Sequence, residues 1–199
     1  MSEVVAESDK FLTGERKFLR REETELGNLI ADAFRWKASA DIGFLDGGNI
    51  RTDLPAGKVT RGDIFAVQPF FNVLMKFEIS GKTLREVLEY SVKDYPKISS
   101  VTPHTSGVNF SFDCRKPVGQ RVENILVNGT PLDDNKIYTI AVSDFLATGG
   151  DGFTMLKNLK MLDKFDTTDL VLTEYLQKVG MKNIEIGRIK NLNVAPLAE

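Results

Sequence analysis

Apolar residues along this chain follow two different spacings, and the order in which these spacings alternate constrains the fold more than any other feature. Between residues 24 and 38 apolar residues recur every three or four positions, which predicts a helix with Thr24 as its N-cap. Residues 42–45 form a short apolar run, and apolar and polar residues alternate over 73–79, so both segments are predicted strands. Helices and strands do not alternate as regularly as in a doubly wound sheet, and we predict a single mixed domain of the α+β class.

The same two spacings indicate the remaining elements. Residues 60–63 (Thr-Arg-Gly-Asp) are typical of a capping box and predict a short helix that ends at Gln68-Pro69. The other predicted helices lie at residues 84–92 and 167–179, and the other predicted strands lie at residues 108–112, 122–127, 137–142 and 184–190. Asn128-Gly129 is typical of a hairpin turn, so we expect the strand at 137–142 to return against the strand at 122–127.

The first residues show no clear period. Residues 1–22 carry mixed charge and few periodic apolar positions, so we expect the fold to begin near Glu23. The chain is accordingly divided into a lead-in or linker at residues 1–15 and one domain at residues 16–195.

Charge and composition exclude several kinds of partner. Lys and Arg total 26 against 28 for Asp and Glu, and a net charge of −2 is too balanced for a protein held to nucleic acid by long-range charge. No window reaches the roughly 18 apolar residues that a membrane span requires. Cys114 is the single cysteine, which excludes an internal disulfide and a cysteine-based zinc cluster. We expect no nucleic-acid partner and no membrane span.

The single histidine argues against a metal centre or an acyl-transfer triad, because such sites usually draw on one or more imidazoles. His104 stands in a polar stretch, residues 99–107, with no carboxylate close by in the sequence. We expect a solvated loop histidine, and we predict neither a metal site nor a catalytic residue in this chain.

The first stretch that indicates chemistry is residues 46–51 (Asp-Gly-Gly-Asn-Ile-Arg), which follows the predicted strand at 42–45. Two glycines allow a close approach of the backbone to a ligand or a positive φ, and the guanidinium of Arg51 can bind a phosphate or sugar hydroxyls. The stretch therefore predicts an anion or polyol site. The alternative is a structural tight turn followed by a surface arginine.

The second stretch is residues 144–153, in which three glycines surround Asp151. One carboxylate on a pliable loop is suited to accept hydrogen bonds from two ribose hydroxyls, and Phe145 can stack on a base. The alternative is a tight turn or a calcium loop, although the oxygen ligands of the regular EF-hand spacing are missing after Asp151.

Several short motifs occur together in one order at compatible spacings. They are residues 23–33 (Glu-Thr-Glu-Leu-Gly-Asn-Leu-Ile-Ala-Asp-Ala), the Gly-Gly-Asn-Ile-Arg turn, Pro69-Phe70, Ser80-Gly81, Ser106-Gly107 and residues 145–152 (Phe-Leu-Ala-Thr-Gly-Gly-Asp-Gly). Over about residues 14–190 the chain resembles the C-terminal domain of the 5′-nucleotidase family, which includes periplasmic UDP-sugar hydrolases and cell-surface ecto-5′-nucleotidases.

The resemblance implies a two-domain enzyme. Its N-terminal metallophosphatase domain would hold two divalent metals, and a C-terminal domain like this one would bind the nucleoside. The chain contains none of the metal-binding strings of that N-terminal half (Asp-x-His, Gly-Asn-His or Gly-His-x-His). We therefore expect no cofactor in this chain, a nucleoside or nucleotide as its ligand, and the N-terminal domain as its partner. The resemblance also implies an extracytoplasmic location.

Site residues follow from the resemblance by position. Arg51 would contact phosphate or ribose, Asp151 would bind the ribose hydroxyls, and Phe70 and Phe145 would enclose the base. Arg20 and Arg21 are nearby candidates for a further arginine that some relatives supply.

Two residues depart from the turn that is common in the family, Asn-Gly-Gly-Gly-Ile-Arg. Asp46 replaces the asparagine and Asn49 replaces the third glycine. Both remain candidate ligand-binding residues, but an acceptor would replace a donor and a negative charge would lie near any phosphate. Base preference is therefore open.

The favoured hypothesis is a nucleotide-recognition domain that positions the nucleoside for phosphate ester hydrolysis by a separate metal-binding domain. One alternative is a stand-alone nucleotide-binding module, a sensor or adaptor without catalysis. The other is a scaffold domain whose pocket has lost its ligand.

Overall fold

The computed structural model describes residues 1–181 and 184–193. The helices are α1 (Arg16–Leu19), α2 (Glu25–Ala38), α3 (Arg61–Val67), α4 (Gly81–Ser91), α5 (Asp144–Ala147) and α6 (Thr168–Lys178). The strands are β1 (Val4–Ser8), β2 (Ile42–Asp46), β3 (Gly57–Thr60), β4 (Val73–Ser80), β5 (Pro103–Ser106), β6 (Val108–Phe112), β7 (Val122–Val127), β8 (Thr130–Pro131), β9 (Ile137–Ser143), β10 (Met161–Thr167) and β11 (Ile189–Asn191).

A five-stranded sheet with the order β10-β4-β9-β2-β5 forms the centre of the fold. Its two inner strands β2 and β9 are parallel, whereas β4 runs antiparallel to β9 and β5 runs antiparallel to β2. A second sheet has the order β11-β6-β7-β8, and β1 pairs with β3 in a two-stranded ribbon. The mixture of helices and mixed sheets confirms the predicted α+β class.

Both faces of the central sheet are buried at its inner strand β2. Ile42 and Phe44 of β2 belong to a core shared with α4, β6 and β7, whereas Leu45 belongs to a core shared with α2 and α6. All five residues of β2 are buried, and for this reason the strand reads as a continuous apolar run. Each fully buried Leu, Ile or Phe side chain contributes about 1.5–3 kcal/mol relative to exposure, so these contacts stabilise the position of β2 in the sheet.

The two helix starts at which the sequence predicts a capping residue are confirmed. The Thr24 hydroxyl accepts a hydrogen bond from the Gly27 N–H at 3.1 Å, so Thr24 is the N-cap of α2. Thr60 and Asp63 form a reciprocal capping box at the start of α3. Each cap satisfies backbone N–H groups that have no partner within the helix.

The ordered chain begins earlier than Glu23, so that expectation is wrong. Val4–Ser8 forms β1, which pairs antiparallel with β3, and the short helix α1 follows before Glu23. Only Val5 and Ser8 of β1 are buried. Because the ribbon lies at the surface, its strand carries little of the apolar periodicity by which a buried element is recognised.

The strand at 137–142 exists, but its predicted pairing is wrong. Asn128 and Gly129 form a turn with φ of 50° and 79°, and this turn joins β7 to the two-residue strand β8. Pro131 lacks the N–H that a longer ladder would need. The chain then crosses to the central sheet, where β9 pairs with β4 and β2 and is buried on both faces.

The predicted last strand at 184–190 is shorter and later than expected. The observed strand β11 covers Ile189–Asn191 and pairs in parallel with β6. Residues 184–188 are not in a strand, and residues 182–183 lie outside the described residues.

His104 is not a solvated loop residue, so that expectation is also wrong. It lies in β5, is wholly buried, and packs against α2 so closely that a Cβ at Gly27 would lie 2.1 Å from its Nδ1. The Nε2–H donates to the Leu19 carbonyl oxygen at 3.2 Å, while Nδ1 has no partner among the described residues. Burial lowers the pKa of His104 to about 4. The imidazole is therefore neutral and ties α1 to the central sheet.

We expect the free energy of unfolding to fall on acidification because of His104. The unfolded chain takes up a proton below about pH 6.5, while the folded chain resists it until its pKa of about 4. His104 therefore does not lower the free energy of unfolding above about pH 6.5. As the pH falls from about 6.5 to about 4, its resistance to protonation lowers the free energy of unfolding by about 3 kcal/mol in all.

Urea unfolding at several pH values measures this effect. Other groups titrate in the same range, so the wild-type protein is compared with His104→Gln, which lacks the titrating imidazole while the other titrating groups remain. As the pH falls, the free energy of unfolding of the wild-type protein should decrease relative to that of His104→Gln. A difference that does not vary with pH would contradict the prediction.

Candidate functional site

A cleft lies at one edge of the central sheet, where four segments converge. Because β2 and β9 are parallel, both carboxyl ends reach this edge, and because β4 and β5 are antiparallel to them, both amino ends start there. Asp46 at the end of β2 lies opposite Pro103 at the start of β5, and Ser143 at the end of β9 lies opposite Leu74 near the start of β4. The two glycine-containing stretches, which follow β2 and β9, are thus brought together.

The cleft has a volume of about 380 Å³, which is the scale of a small organic ligand. It is lined by Arg20, Gly48, Asn49, Arg51, Phe70, Asn72, Ser100, Phe145 and Asp151.

Most of the predicted site residues lie around this one cleft. The lining includes five of them, namely Asn49, Arg51, Phe70, Phe145 and Asp151. Asp46 is wholly buried and lies beneath the cleft rather than in its lining.

The structure distinguishes the two candidate arginines and adds two residues. Arg20 lines the cleft, whereas Arg21 does not. Asn72 and Ser100 also line it, although no motif indicated them. The signal that could have found them is their position just before β4 and β5. Because β4 runs antiparallel to β9 and β5 runs antiparallel to β2, the residues that precede β4 and β5 lie at the edge where β2 and β9 end.

The glycines of the first stretch allow a close approach of backbone segments. Gly47–Asn49 form one turn of 3₁₀-helix, and the N–H groups of Gly47 and Gly48 donate to the carbonyl oxygens of Thr102 and Ser100. A Cβ at Gly47 would lie 2.0 Å from the Leu19 carbonyl oxygen, and a Cβ at Gly48 would lie 2.8 Å from Asp151 Oδ2. The first glycine therefore accommodates α1, and the second accommodates the Asp151 carboxylate.

A chain of side-chain amides connects the cleft to Asp46. Asn72 Nδ2 donates to Asn49 Oδ1 at 3.2 Å, and Asn49 Nδ2 donates to Asp46 Oδ1. Asp46 Oδ2 has no such donor in the described part of the chain. Burial and the neighbouring Asp151 carboxylate raise the pKa of Asp46 well above its usual range, against the opposing effect of Asn49. Asp46 is therefore a buried carboxyl group whose charged form is disfavoured.

The backbone of the second stretch is held in an uncommon conformation that places Asp151 on the cleft. Gly149, Asp151 and Gly152 have φ values of 88°, 49° and 86°, in the left-handed region. For a residue with a Cβ such as Asp151 this conformation costs about 1–2 kcal/mol. The Tyr90 hydroxyl donates to the Asp151 carbonyl oxygen at 3.0 Å and helps to hold it.

The charges of the cleft favour an anion. Two guanidinium groups, those of Arg20 and Arg51, line it with one exposed carboxylate, that of Asp151. Burial and the positive charges of Arg16 and Arg51 lower the pKa of Arg20, and the charges of Asp151 and Asp46 oppose this shift. A bound anion would relieve the repulsion between the guanidinium groups.

Two aromatic rings provide apolar surface beside these charges. Phe70 and Phe145 are 39% and 40% exposed. The Arg51 guanidinium carbon lies 4.7 Å from the centroid of the Phe70 ring, which is the geometry of a cation–π contact. The cleft thus combines exposed aromatic rings, guanidinium donors and one carboxylate acceptor, the groups that would contact a planar ring, an anion and hydroxyls.

No group of three or more His, Cys, Asp or Glu side chains in the described part of the chain could hold a metal ion. Within the same residues, no helix has the length and apolar character needed to cross a membrane.

Comparison with known proteins identifies relatives over nearly the whole chain. The profile of the family described as "5′-nucleotidase, C-terminal domain" matches residues 4–158. The chain is 31% identical over 204 residues to the trifunctional nucleotide phosphoesterase protein YfkN of Bacillus subtilis, which covers 96% of this chain and 14% of that protein. It is 31% identical over 199 residues to the 5′-nucleotidase of Diplobatis ommata, which covers 89% of this chain and 34% of that protein.

A solved structure shares the fold. The crystal structure of a 5′-nucleotidase precursor from Thermus thermophilus superposes with a TM-score of 0.91 at 34% sequence identity, covering 98% of this chain and 40% of that one. The chain therefore spans well under half of the length of each of these relatives.

The two neighbouring glycines of the first stretch should differ in their response to alanine. At Gly47 the added methyl group meets a backbone carbonyl oxygen at 2.0 Å, which cannot move without α1, so Gly47→Ala should lower the free energy of unfolding by about 1–3 kcal/mol. At Gly48 its nearest contacts are side-chain atoms, Asp151 Oδ2 at 2.8 Å and Ser100 Cβ at 3.0 Å, so Gly48→Ala should cost less than Gly47→Ala, about 1 kcal/mol. Thermal unfolding of both variants measures the contrast, and equal losses of stability would show that this interpretation of the turn is incorrect.

Proposed function

Because the chain belongs to the family of 5′-nucleotidase C-terminal domains, we propose that its cleft binds the nucleoside part of a nucleotide and positions the phosphate ester for hydrolysis by a separate metal-binding domain. One observation carries the proposal, namely that two exposed phenylalanines, two guanidinium groups and one carboxylate from distant parts of the chain line a single cleft.

The base would bind against the phenylalanine rings. Phe70 and Phe145 both present partly exposed rings to the cleft. Stacking of a base on an aromatic side chain contributes about 1–3 kcal/mol and tolerates different bases. Since Arg51 already lies over Phe70, Phe145 is the ring that is freer to take the base.

The ribose would bind to Asp151, and the phosphate would bind to the arginines. The Asp151 carboxylate can accept hydrogen bonds from two neighbouring hydroxyls at once. Arg20 and Arg51 can donate to phosphate oxygens, and their charges favour the phosphorylated ligand over the free nucleoside. Together these contacts would fix the ester in one orientation, which lowers the entropic part of the reaction barrier.

The chemical step would take place outside this chain. The described residues do not fit a dimetal centre, and the proposal therefore includes a partner domain that holds two divalent metals. Such metals supply an activated water and polarise the phosphate. By the same family resemblance we propose that the whole protein acts outside the cytoplasm.

The binding of AMP tests the base site. Phe145→Ala should weaken AMP binding by about 1–3 kcal/mol because it removes the stacking surface. The matched control is Phe71→Ala, since Phe71 is also exposed but packs on Phe65 at 5.1 Å and does not line the cleft. Ligand-observed NMR or calorimetry with the intact chain measures both affinities. An equal response of the two variants would remove Phe145 from the site, and no AMP binding by the wild-type protein would refute the proposed function.

A second test addresses the ribose. Asp151→Asn keeps the size of the side chain but removes the charge, so binding of adenosine should weaken by about 1–2 kcal/mol, the scale of hydrogen bonds to a charged acceptor. Binding of the 2′,3′-dideoxy analogue should hardly change, because it lacks both hydroxyls. Melting temperatures are measured alongside the affinities. Joint loss of stability and of both affinities would instead assign Asp151 a structural role.

A further inference from the structure

Asp46 is a buried carboxyl group whose two oxygens have different surroundings. Its side chain is 0% exposed. Oδ1 accepts a hydrogen bond from Asn49 Nδ2, and Asn49 is itself held by Asn72. Oδ2 is completely buried and has no donor partner among the residues that the structure describes. A buried carboxylate oxygen without a donor is costly, so this oxygen needs either a donor or a proton of its own.

The Asp151 carboxylate lies against Gly48, two residues after Asp46, and after burial it is the neighbour that raises the pKa of Asp46 most. Gly48 leaves room for this approach, since a Cβ there would lie 2.8 Å from Asp151 Oδ2. Two ionised carboxylates cannot face each other at hydrogen-bond distance without strong repulsion, whereas one proton between them turns the contact into a charge-assisted hydrogen bond.

The other titratable groups described around Asp46 do not supply the missing donor. Arg20 and Arg51 line the cleft, as Asp151 does, whereas Asp46 lies beneath it. Asp144, just after β9, accepts from the N–H groups of Val73 and Phe145 through Oδ1. His104 of β5 uses its Nε2–H on the Leu19 carbonyl oxygen.

We propose that Asp46 carries a proton on Oδ2 and donates it in a hydrogen bond to the Asp151 carboxylate, which is thereby held in its ribose-binding position. The proton is assigned to Asp46 because that residue is buried and burial disfavours the charged form, whereas Asp151 is exposed to solvent. Asp46 is thus a positioning residue that acts through Asp151, and this inference rests on the proposed function.

Loss of this proton would loosen the ribose site. When Asp46 gives its proton to solvent, the pair carries two negative charges, and Asp151 can relieve the repulsion by turning away from Gly48 into solvent. The Asp151 side chain would then no longer be aligned for two ribose hydroxyls. Adenosine affinity should therefore fall as the pH rises through the titration of the pair.

The test combines adenosine binding with infrared spectroscopy of the intact chain from about pH 5 to pH 9. Adenosine is chosen because it has no phosphate to titrate in this range. The infrared spectrum of the wild-type protein at neutral pH should show the carbonyl band of a protonated carboxylic acid. This band should vanish in Asp46→Asn and persist in Asp163→Asn, in which an exposed carboxylate on β10 is changed.

Two variants separate positioning from simple structural support. Asp46→Asn can still donate to Asp151 and accept from Asn49, so it should bind adenosine as the wild-type protein does at low pH, with no loss at high pH. Asp46→Leu cannot donate and should bind roughly tenfold more weakly at every pH, which is the scale of one hydrogen bond to a charged acceptor. If Asp46→Leu does not fold, Asp46→Asn and the wild-type profile still decide the question.

The outcomes are distinct. Any loss of wild-type affinity at high pH must follow the loss of the infrared band, and either change without the other would overturn the inference. Adenosine binding by a wild-type protein that lacks the band at neutral pH would overturn it while leaving the proposed function intact. If the band is present but adenosine does not bind at any pH, both the proposed function and the positioning role fail.

Discussion

The parallel pairing of β2 with β9 is the interaction on which the candidate site depends. The two strands lie side by side at the centre of the sheet and end at the same edge, although about a hundred residues separate them in the chain. Their burial on both faces fixes this pairing, because a slip by one residue would turn the apolar side chains of each strand to the wrong core. Phe70 and Asn72 before β4, and Ser100 before β5, reach the cleft only because their strands pair antiparallel to these two.

Close packing at the sheet edge then sets the positions of individual side chains. The Leu19 carbonyl oxygen lies against Gly47 and accepts from His104, so the end of α1 is fixed and Arg20, the next residue, is placed on the cleft. In the second stretch, the Tyr90 hydroxyl donates a hydrogen bond to the carbonyl oxygen of Asp151, whose backbone is left-handed. Gly48 leaves room for the Asp151 carboxylate. Neither glycine of the first stretch has a positive φ, so these residues are needed for the space they leave rather than for an unusual backbone.

The sequence predicted those features that depend on neighbours along the chain. Helix α2 with its Thr24 cap, the capping box of α3 and the buried strand β2 were all readable from local spacing. The errors concern contacts between distant segments, namely the partner of β9, the strand β1 and the burial of His104. Asn72 and Ser100 were missed for the same reason, since nothing in their local sequence shows that they lie at the edge where β2 and β9 end.

Asp46 shows most clearly how tertiary structure changes the meaning of a residue. From the sequence alone, Asp46 is expected to be a negatively charged hydrogen-bond acceptor, at a position where an amide is common in the family. In the fold it is buried, with an amide donor at one oxygen and no donor among the described residues at the other, and the Asp151 carboxylate helps to raise its pKa. A protonated carboxyl group offers one acceptor and one donor, as an amide does. With that proton in place, the negative charge of the cleft is confined to Asp151, against the two guanidinium groups of Arg20 and Arg51. Under the proposed protonation, Asp46 therefore adds no second negative charge to the cleft.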